Sequence, residues 1–159
     1  MISMIRLDDR LIHGQVAVKW SKHLNVDRII VASDEAAANE LQANALKMAA
    51  PSSIKAFVLP IENAINIAND PRSASMKMLI VTDSPTKIYE FAKKLEEKPY
   101  INLANYGRLA GSLDEREKIT DTLYLNAEER AQLTEHSEAG FEVAYQALPE
   151  DSKRNMDKL

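Results

Sequence analysis

The stretch RLDDRLIHGQVAVKW, residues 6–20, joins a predicted β-strand to a predicted α-helix close to the start of the chain. It contains one of the three histidines and one of the four glycines in the 159 residues, and these two, His13 and Gly14, are adjacent. The apolar residues before them indicate a strand, and Val16 and Trp20 recur at helical spacing after them. The stretch therefore predicts a reactive side chain beside a flexible residue at a strand-to-helix junction.

Strand-like and helix-like segments alternate outward from this stretch along most of the chain. Apolar and alternating patterns predict strands over residues 2–7, 27–33, 54–60, 76–83, 100–105, 121–125 and 141–148. Helical periodicity and start and stop signals predict helices over residues 14–25, 34–51, 61–70, 84–98 and 126–140. The second of these is predicted as one long helix ended by Pro51, and Ser84 followed by Pro85 marks the start of the fourth.

Strands that alternate with helices imply right-handed crossovers and a mostly parallel sheet. We therefore predict an α/β fold in which residues 1–159 form a single domain, an open twisted sheet with helices on both faces. Residues 106–120 are predicted to be an exposed loop, and the polar tail from about residue 149 is predicted to be loosely held.

Composition removes several classes of function. A net charge of −4 without a cluster of Lys and Arg argues against nucleic-acid binding, and the lack of cysteine excludes disulfides and thiol catalysis. His23 and His136 are predicted surface residues, and no dinucleotide-binding or P-loop motif is present, so we predict no metal and no cofactor. A start without signal-peptide features, and no apolar run of about 20 residues, predict a cytoplasmic protein.

The carboxyl ends of the strands are the expected place for a ligand site in such a sheet. The sequence brings five segments there: residues 8–13, 33–34, 60–61, 83–84 and 105–107. His13 is the most reactive group of the first segment. Neutral imidazole is a good nucleophile near neutral pH and can accept a phosphoryl group.

The residues around His13 suit a phosphate. Gly14 opens the helix, so free backbone N–H groups point toward a phosphate on His13, and Gln15 adds a neutral donor. Arg10 lies three residues before His13, and its planar guanidinium fits phosphate oxygens.

Two acidic residues, Asp8 and Asp9, are candidates for orienting Arg10 or for holding the imidazole in one tautomer. The spacing alone does not separate phosphate transfer from phosphate binding. Three functions therefore stay open: phosphotransfer, a non-catalytic phosphate- or partner-sensing regulatory module, and a sugar-phosphate enzyme with His13 as general base opposite Asp83.

Residues 6–20 closely resemble the active-site segment of enzyme IIB components of the mannose/fructose/sorbose-type sugar phosphotransferase system. That segment reads R-[IV]-D-x-R-L-[IV]-H-G-Q-V with a Trp a few residues on. The likeness extends over nearly the whole chain. Residues 26–51, VDRIIVASDEAAANELQANALKMAAP, are similar to the family's second strand and its helix, and residues 140–155, GFEVAYQALPEDSKRN, to its C-terminal strand and tail.

The resemblance implies a cytoplasmic phosphocarrier that is peripheral to a membrane transporter. In this family a phosphorylated histidine of a IIA protein or domain passes its phosphoryl group to the IIB histidine. The IIB histidine passes it to a sugar that enters through membrane IIC and IID components. By motif alignment the IIB histidine is His13, phosphorylated at Nδ1, while Arg10 and Arg6 fall on the arginines of the motif.

The resemblance also implies that the first and fourth strands meet at a switch point, so that Asp83 and Ser84 border the pocket beside His13. A carrier must expose its histidine to both partners, which predicts a convex or shallow rim. We expect the cationic side chains near this rim to form a positive patch that steers an acidic partner: Arg6, Arg10, and Lys19 or Arg108.

One segment departs from the family pattern. Many members carry N-[IV]-G-G after the fifth strand, whereas this chain reads NLANYGRLAG, with Ala104 and Asn105 where two glycines are common. Members that resemble the N-acetylgalactosamine branch also vary here, so the segment favours an amino sugar. The sequence leaves open the sugar itself, the partner-facing surface and assembly into a homo-oligomer.

Overall fold

The computed structural model describes residues 1–108 and 115–159. The strands are β1 (Ile2–Asp8), β2 (Arg28–Ala32), β3 (Lys55–Leu59), β4 (Met78–Thr82), β5 (Tyr100–Asn105), β6 (Glu117–Lys118), β7 (Tyr124–Leu125), β8 (Val143–Tyr145) and β9 (Arg154–Asn155). The helices are α1 (Gly14–Leu24), α2 (Asp34–Ala38), α3 (Glu40–Ala49), α4 (Ile61–Asn69), α5 (Pro85–Lys93) and α6 (Ala127–Glu138).

Within these residues the main sheet has seven strands in the order β3-β2-β4-β1-β5-β8-β9. Neighbours from β3 to β8 pair in parallel, and β9 pairs antiparallel with β8 at one edge. The short strands β6 and β7 form a separate antiparallel pair. The predicted mostly parallel α/β sheet is confirmed.

Helices cover both faces of the sheet because its parallel strands are apolar on both sides. One buried cluster contains Trp20 of α1 and Leu46 of α3. The other contains Ile65 of α4, Phe91 of α5 and Leu133 of α6. The first three helices thus cover one face and the last three the other, as right-handed crossovers in this strand order require.

The chain reverses its direction across the sheet between β1 and β4. The connection after β1 leads to β2, toward one edge of the sheet, and the connection after β4 leads to β5, toward the opposite edge. The loops after these two adjacent strands therefore diverge. Leu7 of β1 pairs with Thr82 of β4, which places the two loops side by side at the carboxyl edge. Open α/β sheets bind their ligands at such a switch point.

The single long helix predicted over residues 34–51 is wrong, because the chain forms two helices that are separated at Asn39. This residue has extended backbone (φ −107°, ψ 99°), and its side chain accepts a hydrogen bond from Gln42 N at 3.0 Å. Short amide side chains compete for backbone hydrogen bonds and favour helix starts over helix interiors. The alanine-rich periodicity hides this stop.

The tail predicted to be loose is held against the sheet, so that prediction is wrong. Arg154–Asn155 pair with β8 as β9, and Met156 is buried. The Gln146 side chain donates to the main-chain oxygens of Pro149 and Asp151 at 3.2 and 3.0 Å. One buried methionine and a few hydrogen bonds order a segment whose composition is polar.

The loop predicted over residues 106–120 carries structure at both of its described ends, and residues 109–114 of it lie outside the described residues. Tyr106 forms a bridge with Leu123, and β6 lies within the predicted loop. The strand predicted over residues 121–125 is shortened to β7, and the fourth predicted helix ends as α5 at Lys93. Element order is therefore predicted better than element length.

His136 of α6 is buried against α5, so its predicted surface position is wrong. Its ring centroid lies 5.3 Å from that of Tyr89 and 5.3 Å from that of Phe141. Burial lowers the pKa of His136. The weak apolar periodicity of α6 does not reveal that this side faces α5, whereas His23 is exposed as predicted.

Candidate functional site

The loop from Asp8 to His13 is a tight turn with an apolar anchor. Leu11 N donates to Asp8 O at 2.9 Å, and Arg10 N donates to Asp8 Oδ1 at 3.0 Å. Leu11 has a positive φ of 59°, and its side chain and that of Ile12 are buried in the core beneath α1. Because two apolar side chains anchor the turn, His13 stands at a defined place ahead of α1.

The carboxylate of Asp8 lies at the centre of the site and is fully buried. Its Oδ2 accepts from Arg6 Nη2 at 3.1 Å and lies 3.0 Å from His13 Nε2, and its Oδ1 accepts from Arg10 Nε at 3.2 Å. Burial acts to raise the pKa of Asp8, but the charge of Arg6 and the hydrogen bonds from His13 and Arg10 outweigh it and lower the pKa. Asp8 is therefore ionised at neutral pH and acts only as an acceptor.

The contact with Asp8 selects one tautomer of His13. An ionised carboxylate has no proton to donate, so Nε2 of the imidazole is the donor in the 3.0 Å contact. In the neutral ring Nδ1 then carries the lone pair. The His13 side chain is 24% exposed, so a partner can reach the ring.

Gly14 begins α1 with a φ of +45°, a conformation that favours glycine. A Cβ at this position would meet nothing within 4 Å, so the requirement comes from the backbone and not from crowding. Helix geometry leaves the N–H groups of Gly14, Gln15 and Val16 without acceptors in their own helix. Within the described residues the His13 side chain does not cap them, and the start of α1 can therefore bind an anion beside His13.

Arg10 stands at the surface of the site with 47% of its side chain exposed. Its Nε and Nη2 donate to the Asp8 carboxylate at 3.2 and 3.5 Å, which orients one edge of the guanidinium. A planar fork held in this way can donate from its other edge to the oxygens of a phosphate. The geometry is compatible with the role predicted for Arg10.

Arg6 is 3% exposed, so its predicted place in the exposed patch is wrong. Its Nη1 donates to Asn102 Oδ1 at 2.7 Å, and its guanidinium lies 5.5 Å from the centroid of the Trp20 ring. Burial lowers the pKa of Arg6, and the charge of Asp8 partly offsets this. Side-chain alternation in β1 turns Arg6 into the core under α1, where it supports Asp8.

The remaining cations of the predicted patch differ in their surroundings. Lys19 Nζ pairs with Glu150 at 2.9 Å, which balances its charge locally. Arg108 is exposed. Of the predicted patch, Arg10 and Arg108 therefore contribute most of the exposed positive charge.

Asp9 binds the end of β5 rather than Arg10 or the imidazole. Its Oδ1 accepts from Asn105 Nδ2 at 2.7 Å, and its N–H donates to Asn105 O at 2.8 Å. Burial raises the pKa of Asp9. Glycine is common at the position of Asn105 in the resembling family and has no side chain that could donate to Asp9 Oδ1. Asn105 therefore adds a side-chain hydrogen bond that fastens the site loop.

Asp83 and Ser84 lie in the loop after β4, beside the loop after β1. Asp83 Oδ1 accepts from Lys87 Nζ at 2.6 Å, and the same Nζ donates to Glu35 Oε2 at 2.6 Å. Ser84 Oγ accepts from Lys87 N at 3.2 Å and caps α5. These contacts join α5 to α2, and a role of both residues beside His13 stays a prediction.

Sequence reasoning misses Asn102, and it places Asn105 at the carboxyl edge of the sheet without assigning it a contact. It also does not decide between Asp8 and Asp9 as the residue that orients Arg10 or the imidazole. Both asparagines stand in YINLAN, an otherwise apolar strand. A polar side chain in a strand that is buried on both faces needs a partner, and this signal could have pointed to them. Alternation along β1 places Asp8 on the same side as Arg6, which distinguishes it from Asp9.

Residues 1–108 and 115–159 contain no group of three or more His, Asp or Glu side chains that could hold a metal ion. A membrane span would need a longer and more apolar helix than any of those described here.

Comparisons with known proteins identify a matching family, similar proteins and a similar structure. The family described as PTS system sorbose subfamily IIB component matches residues 2–159. A probable phosphotransferase enzyme IIB component of Streptococcus pyogenes serotype M6 is 39% identical over 161 residues, which cover 100% of this chain and 99% of that protein. The mannose-specific EIIAB component of Escherichia coli K12 is 41% identical over 88 residues, which cover 55% of this chain and 27% of that protein. The crystal structure of the IIBSor domain of the sorbose permease from Klebsiella pneumoniae shares the fold, with a TM-score of 0.90, 24% identity and coverage of 99% of this chain and 95% of that chain.

Proposed function

Because the chain belongs to the family of sorbose-subfamily IIB components of the phosphotransferase system (PTS), we propose that His13 accepts a phosphoryl group and passes it to a sugar. The donor is a phosphorylated histidine of a IIA protein or domain. The sugar enters through a membrane IIC/IID complex, beside which the protein acts in the cytoplasm. The activity is that of a protein-N(π)-phosphohistidine–sugar phosphotransferase.

The orientation of His13 is the observation that carries this proposal. Asp8 holds Nε2 at 3.0 Å as a hydrogen-bond donor, so the lone pair lies on Nδ1. Nδ1 attacks the phosphorus of the donor, the bond from phosphorus to the donor nitrogen breaks, and a phosphorus–Nδ1 bond forms. The ring is a better nucleophile because the carboxylate beside it favours the positive charge that develops during attack.

The surroundings of His13 supply what phosphoryl transfer needs besides a nucleophile. The charge of the transferring group spreads over its oxygens, and catalysis depends on positioning and electrostatic stabilisation. Arg10 offers an exposed guanidinium, and the N–H groups at the start of α1 offer the positive end of the helix dipole. Simple binding of a phosphate would use the same donors. Covalent transfer also uses the lone pair on Nδ1 of His13.

The choice of donor and sugar rests on relatives. The mannose-specific relative is named an EIIAB component, and this chain matches 88 residues of it, which supports a IIA unit as the donor. The relatives differ in the sugar of their names, since one is mannose-specific and another belongs to a sorbose permease. The divergence at Ala104 and Asn105 favours an amino sugar among these possible substrates.

Incubation with a phosphorylated IIA protein tests the proposal. We expect the intact protein to gain the mass of one phosphoryl group through an acid-labile bond, and the phosphoryl group to map to His13. His13→Ala should abolish this gain and leave the fold intact, because the ring is partly exposed and lies on a loop.

The matched control is His23→Ala, which removes an exposed histidine of α1 and should leave the mass gain unchanged. Phosphorylation that persists in His13→Ala, at His23 or His136, would overturn the assignment. Reversible binding of inorganic phosphate without a covalent product would indicate a sensing module in place of a carrier.

A further inference from the structure

Asn102 is a fully buried amide in the middle of β5 (0% exposed). It pairs in register with Arg6 of β1, so both side chains project from the same face of the sheet, toward α1. Its neighbours Ile101 and Leu103 project into the other core. A polar amide at this depth costs free energy unless its hydrogen bonds are made.

Both polar atoms of the Asn102 side chain are bonded in fixed directions. Oδ1 accepts from Arg6 Nη1 at 2.7 Å, and Nδ2 donates to Gln146 O at 2.8 Å. Arg6 continues the connection, because its Nη2 donates to Asp8 Oδ2, the oxygen that holds His13 Nε2. A continuous line of hydrogen bonds thus joins the main chain of Gln146 to the imidazole.

We propose that Asn102 is a positioning residue for phosphoryl acceptance by His13. It holds the Arg6 guanidinium so that Nη2 reaches Asp8 Oδ2, and that oxygen holds the imidazole with Nδ1 free. This role rests on the proposed function, because it assigns Asn102 to the reaction of His13.

The charge of the neighbours explains why an amide stands at this position. The buried Arg6 guanidinium has five N–H donors, and an apolar neighbour would leave the one at Asn102 unsatisfied. A carboxylate would satisfy it but would add a second negative charge that competes with Asp8. The neutral amide satisfies the donor and leaves the charge of Arg6 directed at Asp8.

The far end of the line is anchored by tertiary contacts. Gln146 Oε1 accepts from Tyr100 Oη at 3.1 Å, and the next carbonyl, Ala147 O, accepts from Trp20 Nε1 at 3.0 Å. Trp20 belongs to α1, the helix that starts at the site. The segment that fixes Asn102 is therefore fastened to the helix that His13 precedes.

Two variants test the role. Asn102→Leu keeps the approximate volume and removes the side-chain hydrogen bonds to Arg6, Gln146 and Tyr100, and Asn102→Ser is the milder variant if the first fails to fold. We expect each to lower the single-turnover rate of phosphoryl transfer from a phosphorylated IIA protein by about tenfold or more, since misplacement by about 1 Å can cost 10²-fold. The donor concentration at half-saturation should stay unchanged, because Asn102 is buried away from any docking partner.

The second readout needs no donor. In the unphosphorylated wild type we expect the ring ¹⁵N resonances of His13 to show the Nε2–H tautomer, and in the variants to move toward the tautomer mixture of free histidine. Ile101→Val is the control: it is the adjacent β5 residue but faces the opposite core, so it should lower stability without changing the rate or the ring resonances.

The outcomes separate the two proposals. Wild-type rates and ring resonances in both Asn102 variants would overturn the positioning role alone. A wild-type protein that accepts no phosphoryl group would overturn the proposed function, and the ring resonances would still decide whether Asn102 orients His13. An equal rate loss in Ile101→Val would show a general effect of core destabilisation and would also overturn the role.

Discussion

Two loops leave the carboxyl edge of the sheet side by side and start their helices in opposite ways. The loop after β4 starts α5 with Ser84, whose Oγ accepts from Lys87 N, and with Pro85, which has no N–H. The loop after β1 starts α1 with His13, whose ring is bonded to Asp8. The first helix start has a capping side chain and a proline, whereas the N-cap side chain of the second makes no capping hydrogen bond and leaves donors for a ligand.

The comparison shows how the start of α1 departs from the usual features of a stable helix start, which the start of α5 has. Ser84 and Pro85 follow the usual rules for helix starts, and the sequence alone predicts them. In the loop after β1, Leu11 and Gly14 both have positive φ, and a carboxylate, two arginines and an imidazole share one small volume. Features that cost stability gather where function is proposed, while the neighbouring loop carries none of them.

Asp8→Asn should have the largest effect, because it removes the negative charge that holds Arg6, Arg10 and His13. Breaking a buried pair by removing one partner lowers the free energy of unfolding by about 3–5 kcal/mol. The transfer rate should fall by about 10²-fold or more, since the ring loses the group that orients it. Urea unfolding and single-turnover phosphorylation measure the two losses, and wild-type values in both would contradict the central place of Asp8.

The lowered pKa of Asp8 in the wild type predicts how the stability difference between wild type and Asp8→Asn depends on pH. Stability from a carboxylate with a lowered folded-state pKa is fully present above the unfolded-state pKa of about 3.9 and is lost as the pH falls through the lower folded value. The difference in unfolding free energy between wild type and Asp8→Asn should therefore be largest near neutral pH. It should shrink below about pH 4, and a difference that grows there would contradict an ionised Asp8.

Arg10→Lys should slow transfer by about tenfold to 10²-fold, because a point charge cannot reproduce the paired contacts of a guanidinium with phosphate oxygens. Stability should change by less than about 1 kcal/mol, since lysine keeps a positive charge beside Asp8 and 47% of the Arg10 side chain is exposed to solvent. Single-turnover kinetics and thermal unfolding measure both quantities. An unchanged rate would remove Arg10 from the site.

Gly14→Ala and Ser84→Ala compare the two helix starts directly. The first forces a side chain onto a φ of +45° and should cost about 1–2 kcal/mol of unfolding free energy. The second removes a cap and should cost about 1 kcal/mol. Transfer should slow more in Gly14→Ala, because Gly14 directly follows His13 and the N-cap side chain of its helix makes no capping hydrogen bond. An equal rate loss in Ser84→Ala would place Ser84 in the phosphate site and remove the contrast between the loops.

Salt should have the smallest effect. Rim charges act mainly on the rate of association and on its salt dependence. With Arg6 buried and Lys19 paired to Glu150, we expect a modest decrease in the second-order transfer rate as the Debye length falls below about 10 Å. A rate that is flat across this range would show that apolar contact dominates docking, and a steep decrease would restore a strong positive patch.

The pattern of residues alone determined the alternation of the main strands and helices, the strand-to-helix junction at His13 and the resemblance to a IIB family. These are local properties, because side-chain periodicity, Ser-Pro helix starts and a motif of contiguous residues all involve residues that are close in sequence. The sequence also brought Arg10 and Asp8 to the site, because both lie within five residues of His13.

The tertiary structure alone decided which groups support the site and from how far. Asn102 meets Arg6 and Asn105 meets Asp9 across 96 residues of sequence, and the segment after Gln146 is fastened to Trp20 across 127. These contacts depend on strand order and register, which place β5 beside β1, and neither is encoded in the local pattern of any one segment. The same strand order turned Arg6 inward, because a side chain in a central strand must face one of two buried layers.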